Sequence, residues 1–123
     1  MRQLFLASLC FYSIEIHSLE YKILHENDSV SISQVKIMPY EEIGLHRDAY
    51  PQSVIALQGG IITRLEGDGS KVDVNFPTGQ AVSRDMDPPD QLHKSVNNSS
   101  SPVELIIIQL KCKRLLSLCS KGH

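Results

Sequence analysis

Two histidines stand where an imidazole could do chemistry. His46 lies in the segment Gly44-Leu45-His46-Arg47-Asp48-Ala49-Tyr50-Pro51-Gln52, just before a run that reads as a strand, and His93 opens another such run beyond Pro88-Pro89. Side chains alternate between faces along an extended chain, so His46 and Asp48, two residues apart, point the same way. If neighbouring strands of a small barrel carry both stretches, two imidazoles, the Asp48 carboxylate and the Gln52 amide converge on one spot. A mixed nitrogen and oxygen set of this kind suits a first-row divalent metal. Each group also has a plainer use: a histidine at a barrel mouth can hydrogen-bond backbone, and Asp48 can form a weak surface pair with Arg47 or Arg84.

Other chemistries find no support. No Ser sits in a nucleophile elbow, which removes the basis for a Ser-His-Asp hydrolase. Gly59, Gly60, Gly67 and Gly79 read as turn glycines, since none opens a helix in a phosphate-cradling pattern. Three cysteines with no Cys-x-x-Cys spacing make neither a disulfide framework nor a thiolate zinc site. Twelve Lys plus Arg against fourteen Asp plus Glu give a net charge of −2, and no basic stripe exists to hold nucleic acid by its phosphates.

The elements that must position these groups are strands. A chain of 123 residues suffices for one core, and from Leu19 on it consists of short β-patterned runs separated by turn residues, with no long helical periodicity. Tyr21 to Leu24 and Val30 to Ile37 flank the turn cluster Glu26-Asn27-Asp28-Ser29. Val30 and Ile32 alternate in one phase and Val35 and Ile37 in the other, so a bulge near Ser33-Gln34 is expected to turn all four inward. Val54 to Leu57 and Ile61 to Leu65 flank Gly59-Gly60. Gly67-Asp68-Gly69-Ser70 is a hairpin turn into Val72, Val74 and Phe76. Ala81 to Arg84 and His93 to Val96 are further short strands, and Val103 to Leu110 reads as a strand buried on both faces. Asn97 is expected to tie a turn to backbone. Eight or nine strands at spacings near ten residues fit a sandwich or a small barrel.

The two ends read differently. In residues 1–18, Arg2 precedes the apolar run Leu4 to Tyr12 and a small residue, Ser18, closes the segment; these are the parts of a secretory signal, and the run is too short to span a bilayer. A docked first strand or helix is the alternative. Export would make the chain periplasmic or secreted; without it the chain is cytoplasmic. Residues 112–123 read as a tail in which Cys112 and Cys119 pair if exported and stay reduced if not. Asn27-Asp28-Ser29, Asn97-Asn98-Ser99 and Asn98-Ser99-Ser100 match glycosylation acceptors.

Between Tyr21 and Lys111 the chain resembles the cupin family of small β-barrels. The family's first motif has a Gly, His-x-His, a Glu three or four residues on and a Gly after six more; His46, Asp48, Gln52 and Gly59 stand at those spacings. Its second motif, Pro-x-Gly-x-x-His-x-x-x-Asn, is met by Pro88, His93 and Asn97, with Asp90 at the Gly position; Tyr40 likewise stands where the first motif has Gly. The resemblance implies an all-β, mainly antiparallel, double-stranded β-barrel (jelly roll) over residues 19–111. It nominates His46, Asp48, Gln52 and His93 as ligands of a divalent metal (Fe, Mn, Ni or Zn). Asp48 replaces a His and remains a sound ligand, whereas Gln52 replaces a Glu and is a neutral, weaker donor.

Two functions follow. One is a metal-dependent protein acting on a small oxygen-containing molecule by dioxygenase- or isomerase-type chemistry. The other is a non-catalytic small-molecule binder without metal, its pocket lined by Val54, Ala56, Ile62 and Val96. Exposed strand edges make a homodimer the expected assembly. No nucleic-acid partner and no stable membrane insertion of the mature chain are implied.

Overall fold

A computed structural model describes residues 19–111. The segments proposed above as an export signal and a cysteine-bearing tail lie outside the described residues. Nine strands follow in chain order: β1 (Glu20–Glu26), β2 (Val30–Ile37), β3 (Glu42–His46), β4 (Gln52–Gln58), β5 (Gly60–Glu66), β6 (Lys71–Phe76), β7 (Ala81–Arg84), β8 (His93–Val96) and β9 (Val103–Leu110). All named strand pairs are antiparallel. Local chemistry sets the turns. Asn27 Oδ1 accepts from the Ser29 and Val30 amides at 2.8 and 2.9 Å, closing β1 onto β2, and Gly69, at φ 92°, lets β5 return as β6.

The strands form a five-stranded sheet, β1-β2-β9-β4-β7, and a four-stranded sheet, β3-β8-β5-β6. The two face each other as a jelly roll rather than closing into one continuous cylinder. Gly59-Gly60 is where the chain leaves the first sheet for the second. A Cβ on Gly59 would run into the Phe76 carbonyl, so only glycine passes there. Between the sheets lie Val35, Ile37, Val54, Ala56, Ile62, Val74, Phe76, Val103 and Leu105, all buried. Full burial stabilises by about 1.5–3 kcal/mol per large aliphatic or aromatic side chain.

Three expectations change. The register of β2 on β9 runs unbroken from Val30↔Leu110 to Ile37↔Val103, with no bulge at Ser33-Gln34. Ser31 and Ser33 therefore face inward with Val35 and Ile37, while Val30 and Ile32 are half-buried on the other face. An uninterrupted eight-pair ladder keeps every backbone partner, which a bulge would disrupt. The bulges lie elsewhere: at Leu24 in β1, at Leu57 in β4 and within Gly44-Leu45 in β3. Each leaves its leucine exposed. Strand β3 itself was absent from the pattern, because Gly44 and a one-residue slip break its alternation. Finally, β9 is buried only at Val103 and Leu105; Leu110 is exposed, and the rest are half-buried.

Asn97, wholly buried, locks the end of the roll away from the histidines. Its Nδ2 donates to the carbonyls of Ile37 (3.1 Å), Met38 (3.3 Å) and Ser101 (2.8 Å), and its Oδ1 accepts from the Ser99 amide and hydroxyl. Its backbone carbonyl accepts from Tyr40 N, and Tyr40 adopts φ 61°, the left-handed region that a glycine would occupy freely. Asn97 is thus the backbone tie expected of it, and its burial leaves no access for a glycosyl group.

Candidate metal centre

His46 is the last residue of β3, Asp48 follows two residues later, and His93 is the first residue of β8. The two strands pair with His46 directly opposite His93. The bulge at Gly44-Leu45 adds one residue to β3 between Ile43↔Ser95 and His46↔His93. A regular ladder continued from Ile43↔Ser95 would set Leu45 opposite His93 and turn the His46 side chain to the other face. The rings stand 4.3 Å apart between centroids, tilted at 59°. Asp48 lies between them, Oδ1 at 3.8 Å from His46 Nε2 and Oδ2 at 3.7 Å from His93 Nε2. One ligand atom from each of the three lies within 4.8 Å of the others.

The outer nitrogens fix the proton positions. His46 Nδ1 sits 2.7 Å from the Gly44 carbonyl oxygen, which can only accept, so Nδ1 carries the hydrogen and Nε2 a lone pair. His93 Nδ1 lies 3.2 Å from Asp87 Oδ2 and 3.0 Å from Arg64 Nη2. The guanidinium can only donate, so Nδ1 accepts from it and the neutral, metal-free ring carries its proton on Nε2; once a cation takes Nε2 the proton moves to Nδ1, where Asp87 Oδ2 stands within reach to accept it. Burial first, then the charges of Arg64 and His46, push the His93 pKa below its ordinary value; Asp48 and Asp87 pull the other way without cancelling them. The two Nε2 atoms and the Asp48 carboxylate share one small space. A cation satisfies all three, and donation of the second ring nitrogen to a carboxylate or carbonyl is the usual support for a metal-binding histidine.

Asp87 organises this support. It is buried; its Oδ2 also accepts the Asp48 amide at 2.8 Å, and its Oδ1 accepts from Arg64 Nη2 at 3.2 Å. Burial raises its pKa, but the Asp48 amide, Arg64 and His93 outweigh that and hold it below the usual carboxylate value. Burial likewise opposes the charge of Arg64, yet bonds to Glu66 (2.9 Å) and Asp87 leave its pKa raised. Arg47 caps the loop, donating to the carbonyls of Asp87 and Pro88 at 3.0 Å each. It does not pair with Asp48, and neither does Arg84: Asp48 has turned to the histidines instead.

Gln52, at the start of β4 on the facing sheet, lines the same cavity as the three, of about 260 Å³. The walls include Val54 and Ile62 as expected; Ala56 and Val96 are not among the lining residues. Ala56 is packed in the core beneath, and Val96 follows Ser95, whose side chain takes the cavity-facing phase. Asp87 and Arg64 were missed from the sequence. Arg64 had a signal, since it shares a strand face with Ile62 and an inward arginine needs a carboxylate; Asp87, in an irregular loop, had none. Among the described residues no helix is long and apolar enough to cross a membrane.

No family model matches the sequence, and no curated protein does. Solved structures do. A cupin domain from Bordetella pertussis superposes with TM-score 0.68 at 19% identity, over 77% of this chain and 95% of that one. A cupin 2 conserved barrel domain protein from Salinispora arenicola gives TM-score 0.55 at 19% identity, over 85% of each chain. The polyketide cyclase RemF from Streptomyces resistomycificus gives TM-score 0.56 at 14% identity, over 76% of this chain and 66% of that one.

Proposed function

With the chain folded as a small cupin-like domain, we propose that it binds one divalent first-row metal (Fe, Mn, Ni or Zn) through His46, Asp48 and His93. Gln52 is the candidate fourth donor from the opposite sheet. The observation that carries this reading is the pair of Nε2 atoms aimed at one carboxylate, each ring's other nitrogen held by a partner behind it. Ligand atoms bonded at about 2.1 Å in a tetrahedral arrangement lie about 3.4 Å apart. The two Nε2 atoms stand 3.8 and 3.7 Å from the two oxygens of Asp48, and one atom from each of the three residues lies within 4.8 Å of the others, so closing on an ion takes an inward shift of roughly 1 Å. A metal held there supplies Lewis acidity toward a bound oxygen atom. The cavity beside it has room for a small oxygen-bearing molecule, so dioxygenase- or isomerase-type chemistry is the catalytic form of the proposal.

A second reading, a metal-free binding module, draws on the neutral Gln52 and on the apolar cavity walls. The experiment that separates them is metal content by mass spectrometry on protein purified without added metal, repeated for His46→Ala and His93→Ala. Near one equivalent in the wild type, lost in both variants, is expected, with a rise in Tm on adding Mn, Fe, Ni or Zn salts. No stoichiometric metal and no such rise would leave the binding module.

Export directed by residues 1–18 and assembly as a homodimer belong to the same proposal. The second is supported by edge strand β1, exposed along its length, with Tyr21, Ile23 and Leu24 all open to solvent. Light scattering on the purified chain reads the dimer directly.

A further inference from the structure

The described residues contain three arginines, 47, 64 and 84, and all three lie near the candidate centre or its cavity. Arg47 is bonded to two carbonyls, and Arg64 to Glu66 and Asp87. Arg84, half-buried at the end of β7 and lining the cavity, has no ion pair or side-chain hydrogen bond to any described residue. Register places it in a polar row across the five-stranded sheet: Gln52 pairs with Arg84 on one side and with Gln109 on the other. The next row inward, Val54 with Ile107 and Val82, is apolar. Among the described residues the cavity thus offers a greasy interior with a single unspent positive charge at its rim, on the wall opposite His46, Asp48 and His93. A half-buried guanidinium with no partner among the described residues is matched by a carboxylate, whose two oxygens fit its fork of donors. Size narrows the class, because a cavity of 150 Å³ already holds benzene, and this one, at about 260 Å³, adds space for a short polar arm.

We propose that the cavity takes a small organic carboxylate with a compact apolar body, one ring or a branched chain, whose carboxylate pairs with Arg84 while the body lies between the sheets. This rests on the reading of the cavity as the ligand site; it does not require the metal to be held. The test uses the full chain, zinc-loaded and chelator-treated, titrated calorimetrically with phenylacetate and with its neutral counterpart phenylacetamide. Phenylacetate is expected to bind at least tenfold more tightly than the amide in wild type. Arg84→Gln is expected to erase that preference, leaving zinc affinity and amide binding within about twofold of wild type, and Arg84→Lys to restore part of it. Equal binding of acid and amide, no binding of phenylacetate at millimolar concentration, or a preference that survives Arg84→Gln would each overturn the inference. Zinc retention is measured on the same samples, so the two proposals fail separately. A lost zinc site with the acid preference intact removes the metal reading alone, and zinc held with no acid preference removes this one alone.

Discussion

Asp87→Asn changes one atom type and leaves shape almost untouched, which makes it a sharp probe of the candidate centre. In the native chain two donors converge on this carboxylate, the Asp48 amide on Oδ2 and Arg64 Nη2 on Oδ1, and His93 Nδ1 lies 3.2 Å from Oδ2, placed to donate there once Nε2 holds a metal. An asparagine has a single oxygen. Turned toward Asp48 and His93, it presents its NH2 to the Arg64 guanidinium; turned toward Arg64, it presents NH2 to the Asp48 amide and to His93 Nδ1. The second arrangement favours a lone pair on Nδ1, which keeps the ring proton on Nε2 and blocks that nitrogen as a ligand. Either way a charge-assisted hydrogen bond at a buried site is lost, at a cost of about 1.5–3 kcal/mol to the fold. Metal affinity is expected to fall about 10–100-fold, the usual effect of removing the group that orients a ligand histidine. Competition with a chromophoric chelator measures the affinity, and urea denaturation of the metal-free chain measures the stability. Wild-type affinity in a destabilised but folded Asp87→Asn variant would refute the idea that Asp87 supports the Nδ1–H form of His93 that metal binding requires.

Three further outcomes are expected. In the metal-free chain His93 holds its proton less tightly when folded than unfolded, so its contribution to stability is complete above the unfolded pKa of about 6.5 and is lost as pH falls through and below it. Asp87, held below the ordinary carboxylate value, adds a second loss once pH drops below about 3.9; urea midpoints from pH 7.5 downward read both, and a flat profile between 7.5 and 5 would contradict the first. Gln52→Glu adds a negative charge to the cavity wall and is expected to tighten metal binding by tenfold or more in the chelator assay; unchanged affinity would remove Gln52 from the donor set. Tyr40→Gly relieves the left-handed backbone at φ 61° beside an exposed ring. The substitution should raise stability by roughly 0.5–1 kcal/mol after the extra chain entropy of glycine is subtracted, visible as a rise of a few degrees in Tm.

The strand pattern carried the fold because turn residues and alternation act locally: Asn27, Gly69 and Gly59-Gly60 each do at their positions what their types suggest. It failed at β2 and β3 for one shared reason. Where a strand bulges is decided by the ladder it shares with its neighbour, and neither the intact β2–β9 register nor the Gly44-Leu45 bulge is written in one strand alone. His46, Asp48 and His93 were legible through spacing, and the structure does bring them together. The layer behind them was not. Asp87 reaches His93 from six residues away through an irregular loop, and an aspartate before two prolines looks like ordinary turn material until the arginine it faces is known.

Three of the four nominated ligands, with Asp87 and Arg64, belong to the four-stranded sheet and its adjoining loops, whereas the fourth, Gln52, belongs with Arg84 and Gln109 to its counterpart. Apart from Gln52, such a partition decouples two tasks that most pockets entangle. The other residues on the second panel can be exchanged, singly or together, without disturbing the hydrogen-bonded lattice on the first, so a library varied at positions 84 and 109 should stay folded while sampling many guests. Changes confined to one panel should also combine additively with changes on the other, except where a guest bridges the two.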